Sequence, residues 1–128
     1  MPTSSQNLLA VDYGTKRIGL AYSISGIIST LPGLNNDKNT LHHIQKIVDQ
    51  YSISKVYVGL SDGVIAQKTL LFVSLLTNML KLPVETIEEA VSTIEATEIY
   101  RNNLSKKKDY KRMVDSIAAA VILRRVIS

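Results

Sequence analysis

The chain has 128 residues, 45% of them hydrophobic, with a formal net charge of +4 from 15 Lys+Arg against 11 Asp+Glu. This length suits one compact domain over residues 1–128 and is too short for two. The lack of cysteine excludes a disulfide framework and a thiolate zinc site, and the adjacent His42 and His43 would face different ways on a helix. No charge-free apolar run reaches bilayer-spanning length, and Met1 to Asn7 lacks the basic-then-apolar order of a signal peptide. The expected location is the cytoplasm.

The first element is the apolar run Leu8 to Val11, which breaks at Asp12. Apolar residues at consecutive positions predict a strand covered on both faces, near the middle of a sheet. A turn over Tyr13 to Arg17 leads into a second strand, Ile18 to Ser23. Gly26 marks the turn into a third, Ile27 to Leu31, which Pro32-Gly33 is expected to end. From Thr40 the period changes: Leu41, Ile44, Ile47, Val48 and Tyr51 recur at helical spacing, with polar residues between them. Lys55 to Leu60 reads as a fourth strand, parallel to the first because a helix precedes it. Ser61 to Gly63 is a turn, with Asp62 a candidate N-cap.

Val64 to Leu82 predicts a helix apolar nearly all round, either deeply buried or covered by a partner; a homodimer through it is one expectation. Pro83 ends it, and Val84 to Ile87 is a fifth strand. Ser92 and Glu95 form a capping box for a helix over Thr93 to about Arg101. A basic loop, Asn102 to Asp109, precedes a last helix from about Tyr110 to Ile127. The predicted fold class is α/β, with three antiparallel strands feeding alternating αβ units in a mixed sheet.

Three acids stand where chemistry could use them. Asp12 ends the first strand, Glu89 follows the fifth, and Asp115 is the one acid between Met113 and Leu123. Two-metal phosphodiester chemistry needs carboxylates converging on cations about 3.5–4 Å apart, and oxygen donors select Mg²⁺ or Mn²⁺ over softer ions. Any one of these acids alone is better explained by local pairing, Asp115 with Lys111 or Arg112 for instance. Three together favour a site. Asp62, just past the fourth strand, is the strongest rival. Lys106, Lys107, Lys108, Lys111 and Arg112 concentrate positive charge in seven positions, which suits a polyanion or a solvated loop. Tyr13 is read as packing locally, His42 and His43 as exposed.

The blocks VDYGTKRIGLAYS, KVYVGLSDG, EEAVSTIEA and VDSIAAAVIL resemble, in order and over almost the whole chain, the YqgF/RuvX family of ribonuclease H-like proteins. The most specific pieces are D-x-G-x-x-R-I-G (Asp12, Gly14, Arg17, Ile18, Gly19) and D-S-x-A-A (Asp115, Ser116, Ala118, Ala119). The resemblance implies a ribonuclease H-like fold in βββαβαβα order and a Mg²⁺- or Mn²⁺-dependent nuclease. Its members are described as Holliday junction resolvase-like proteins or as nucleases that mature the 5′ end of pre-16S ribosomal RNA. It carries metal-binding and catalytic roles onto Asp12, Glu89 and Asp115. Ala90 stands where the family has an arginine and Ser61 where it has a proline, which weakens the expected grip on substrate; Lys16, Arg17 and the Lys106 to Arg112 cluster are the residues that could compensate. The partners implied are ribosomal RNA precursor or branched DNA. Two other readings are a nucleic-acid-binding or ribosome-associated factor with a vestigial site, and, from Asp12, Gly14 and Thr15, the phosphate hairpin of actin-like ATPases. The last needs two duplicated domains, which this chain is too short to supply.

Overall fold

In the computed structural model, residues 6–60, 64–88 and 110–127 are described, with side chains for all of these except 64 and 110–115. Among them the chain forms β1 (Leu8–Tyr13), β2 (Arg17–Ile24), β3 (Ile27–Asn35), α1 (Thr40–Gln50), β4 (Lys55–Leu60), α2 (Val64–Leu80), β5 (Val84–Glu88) and α3 (Tyr110–Ile127). The strands make one sheet in the order β3-β2-β1-β4-β5. The first three form an antiparallel meander, while β4 pairs parallel with β1 and β5 parallel with β4. This is the mixed sheet, and the βββαβαβα order, expected from the sequence. The expected helix at Thr93 to Arg101 with its Ser92–Glu95 cap, the basic loop and the Ser61–Gly63 turn lie outside the described residues.

Leu8, Leu9, Ala10 and Val11 are all fully buried because helices cover both faces of β1. Leu9 and Val11 pack with Ile44 and Val48 of α1 and with Phe72, Leu76 and Leu80 of α2. Leu8 and Ala10 point the other way, into a cluster with Ala119, Ile122 and Leu123 of α3. Each large side chain so buried contributes about 1.5–3 kcal/mol relative to exposure.

The β2–β3 hairpin turns on Ser25 and Gly26, at φ 53° and 82°. Positive φ at both central residues is what a type I′ turn requires, and its twist matches that of the strands. β3 continues past the expected stop at Leu31. Leu20 pairs with Leu31 but Ile18 pairs with Leu34, so Gly19 alone faces Pro32-Gly33. A bulge absorbs the proline, which has no N–H to offer the ladder, and the strand resumes. Helix α2 ends at Leu80, two residues early, because Lys81 takes a left-handed φ of 56° ahead of Pro83.

At the opposite sheet edge the Lys55 ammonium lies 2.9 Å from Glu85, and the hydrogen bond to Glu85 raises its pKa above the ordinary lysine value. Both groups are partly exposed, so the pair adds little stability. The start of β1 is tied down by Asn7, whose side-chain amide donates to the Tyr51 carbonyl at 2.8 Å and whose carbonyl accepts from the Ser54 N–H at 2.8 Å. No helix among the described residues is long and apolar enough to cross a membrane.

The β1–β2 turn is tight at Gly14. A Cβ built there would lie 2.4 Å from the Arg17 carbonyl oxygen, so the backbone itself would have to move. Gly14→Ala is expected to destabilise the fold by about 1–3 kcal/mol, seen as a lower urea midpoint. An unchanged midpoint would show that the turn has slack.

Candidate active site at the end of β1

Asp12 is the fifth residue of β1, half-buried where the strand leaves the core. Side chains alternate along a strand, so Asp12 shares the face of Leu8 and Ala10, the face that α3 covers. Its register partners are Gly19 on β2 and Gly59 on β4, and beyond Gly59 comes Ile87 on β5. The carboxylate therefore stands between two residues without side chains, at the edge where the parallel strands β1, β4 and β5 all end.

Helix α3 crosses this face with its first half near Asp12. The buried Ser116 hydroxyl donates to the Leu31 carbonyl and accepts from the Leu20 N–H at 3.4 Å. Leu20 in turn pairs with Val11, the neighbour of Asp12. Farther along, Ile122 and Leu123 join the cluster that includes Leu8 at the start of β1, and Val126 and Ile127 pack against that cluster. The helix thus runs from the Asp12 edge back across the sheet. Asp115 lies in its backbone, one residue before Ser116.

The turn beside Asp12 is held from outside. Asn36 donates its side-chain amide to the Gly14 carbonyl at 2.8 Å, and its N–H to the Lys16 carbonyl at 2.8 Å. Lys16 is exposed and Arg17 half-buried, so two expected phosphate-binding cations sit on this turn. Arg17 also lines a recess of about 330 Å³ with Asn35, Asp37 and His43. Tyr13 faces away from Asp12, its ring 4.7 Å from that of Phe72, and borders a cavity of about 230 Å³ with Lys68 and Leu71. His42 and His43 are exposed on α1, as expected.

Of the expected site residues, Glu89, Lys106, Lys107 and Lys108 lie outside the described residues, as does the rival Asp62. Lys111, Arg112 and Asp115 are described only as backbone of α3. Among the described residues no three His, Asp or Glu side chains converge on a point, and the set Asp12, Glu89, Asp115 draws on residues beyond them. All three are hard oxygen donors, the kind that suits Mg²⁺ or Mn²⁺. Sequence reading left Gly19, Gly59 and Ser116 without a role, although small residues at matching strand ends are a visible signal. For Asn36 the sequence carries no signal at all.

Residues 6–128 match the family described as RuvX, Holliday junction resolvase. The chain belongs to that family. A RuvX relative from Sulfurovum sp. is 36% identical over 94% of this chain and 98% of its own length. One from Prochlorococcus marinus subsp. pastoris is 33% identical over 96% and 85%, and both are named "Putative pre-16S rRNA nuclease". By family, then, the RuvX chain is a nuclease, a hydrolase of phosphodiester bonds. Two solved structures share its fold. Fowlpox virus resolvase with Holliday junction DNA has a TM-score of 0.62 at 12% identity, covering 95% of this chain and 99% of that one. T. thermophilus RuvC in complex with Holliday junction substrate has 0.57 at 11%, covering 95% and 97%. The ribonuclease H-like α/β fold is thereby established.

Asn36→Ala removes the bond that braces the Asp12 turn. Stability should fall by about 1 kcal/mol, and amide exchange at Thr15 and Lys16 should speed up more than at Leu9 or Val11. Equal acceleration throughout β1 would show that the brace is not local.

Proposed function

We propose that this chain is one ribonuclease H-like domain over residues 1–128 that cleaves phosphodiester bonds in structured nucleic acid with a divalent cation, Mg²⁺ or Mn²⁺. The carboxylates of Asp12, Glu89 and Asp115 would hold the cation. The reading is carried by one observation: Asp12 stands on the α3 face between Gly19 and Gly59, one strand from the point where Ser116 anchors α3. A divalent cation bound there supplies Lewis-acid polarisation of the phosphodiester and acidifies water. The chain's own part is to fix the carboxylates, with Lys16 and Arg17 on the adjacent turn to receive backbone phosphate. Lys106, Lys107, Lys108, Lys111 and Arg112 extend that positive surface in sequence. The substrate classes that the relatives' names suggest are ribosomal RNA precursor and four-way DNA junctions.

Cleavage of both substrates in Mg²⁺ or Mn²⁺ is the direct test. Asp12→Asn and Asp115→Asn should each lower the rate on the order of a hundredfold or more, with nucleic-acid binding kept. Unchanged cleavage in both variants would place the site elsewhere. Binding by the unsubstituted chain without cleavage, over both substrates and both metals, would favour the vestigial factor. Binding should also weaken steeply with salt, and Lys16→Ala should flatten that dependence by about one phosphate contact.

We also infer self-association through α2. That helix buries Thr69, Phe72, Leu76 and Leu80 against the sheet, yet leaves Ile65, Leu70, Leu71 and Leu75 exposed by 42, 48, 66 and 47%. Light scattering should find a dimer that Leu71→Glu returns to monomer. Monomer alone at high concentration would remove the inference.

A further inference from the structure

We propose that Ser116 is a positioning residue of the nuclease centre: its hydroxyl, bonded to both Leu20 and Leu31, sets the α3 turn that carries Asp115 against the β1 end that carries Asp12. The proposal rests on reading those two carboxylates as metal ligands.

The place where Ser116 bonds is not arbitrary. In a two-residue hairpin, hydrogen-bonded pairs recur at every second residue from the turn. Here they are Ile24 with Ile27, Tyr22 with Ser29 and Leu20 with Leu31. Leu20 and Leu31 are thus the last such pair before the bulge at Pro32-Gly33. Ser116 accepts from the N–H of one and donates to the carbonyl of the other. Its hydroxyl therefore bonds to both members of the last ladder pair before the bulge.

Packing and hydrogen bonding constrain α3 in different ways. Its buried cluster joins Ala10, Ala21 and Ala119 with Leu8, Tyr57, Ile122 and Leu123. Apolar burial is non-directional, and by itself sets the axial register of a helix only loosely. A hydroxyl bonded to two backbone atoms of the sheet does fix it, since hydrogen bonds weaken steeply with distance and angle. Both ends of this lock adjoin a candidate ligand. Ser116 follows Asp115 directly, and Leu20 pairs with Val11, which precedes Asp12. Mg²⁺ demands near-ideal octahedral geometry at about 2.0–2.1 Å, so ligands borrowed from a helix and a strand need the two elements held in register.

The test is Mn²⁺ binding to the full chain without nucleic acid, followed by the free-ion electron paramagnetic resonance signal. Ser116→Ala should weaken binding about tenfold, the loss typical of residues that orient metal ligands. Ile44→Val, in the core on the opposite sheet face, lowers thermal stability and should leave Mn²⁺ affinity unchanged. If Ser116→Ala does not fold, Ser116→Cys, close in size and a weaker hydrogen-bonding group, should give a several-fold loss. Wild-type affinity in the folded Ser116 variant, or an equal loss in Ile44→Val, would overturn the proposal. Asp12→Asn separates the two levels. If it abolishes binding while the Ser116 variant binds normally, the positioning role alone falls; if it binds normally, the metal reading falls and the proposal with it.

Discussion

The close approach of α3 to the sheet is the constraint that the β1 end depends on. Ala10, Ala21 and Ala119 are fully buried in the cluster on the α3 side, and Gly19 and Gly59 flank Asp12 in register. At Ser116, helix and sheet come near enough for its short side chain to reach two backbone atoms of neighbouring strands. A larger residue at Ala10 or Ala21 would lift the helix, and Ser116 would lose both partners while still buried. A hydroxyl stranded in that way costs about 1–3 kcal/mol.

The two faces of the sheet have divided roles. On one, Leu9, Val11, Leu20, Val56 and Val58 meet Ile44, Val48, Phe72 and Leu76 in a cluster of large side chains. Deleting any of these would cost about 2–5 kcal/mol, so that face carries most of the stability. The other face holds the smaller cluster of Leu8, Ala10, Ala21, Tyr57, Ala119, Ile122 and Leu123. Tyr13 and Asp12 show the division within two residues: alternation sends the ring to Phe72 and the carboxylate to the α3 side. The turn that joins both to β2 is closed by Gly14 and braced by Asn36.

Much of this was legible in the sequence because its causes are local. Leu8 to Val11 and Lys55 to Leu60 are apolar in the way that central strands must be, and the switch to helical spacing at Leu41 marks α1 cleanly. The Pro32-Gly33 pair misled, since a proline reads as a stop and only the register with Gly19 shows that a bulge can carry the strand past it. The end of α2 was missed by two residues because Lys81 adopts a backbone conformation that its side chain does not advertise. The apolarity of α2 was plain, whereas which half of it would be buried depends on the sheet beneath. At the site, Asp12 was visible as an acid ending a buried run. The bare neighbours that set it apart emerge only from pairing, which brings residues 12, 19 and 59 into one row.

On the proposed reading, the same row would let one edge serve both a cation and a polyanion. A carboxylate at a strand end repels phosphate, and Lys16 and Arg17 on the adjoining turn offset that field only in part. Hard cations invert the local sign, because a bound divalent ion is the largest charge in its surroundings. Carboxylates gathered for such an ion therefore favour nucleic acid when it is bound and disfavour it when it is not. On that reading, Lys16 and Arg17, which follow Asp12 closely along the chain, would keep the approach of a phosphate backbone favourable without competing for the ion. On that view Asp12 and the turn after it form one electrostatic unit, and the tight geometry at Gly14 keeps its two halves in register.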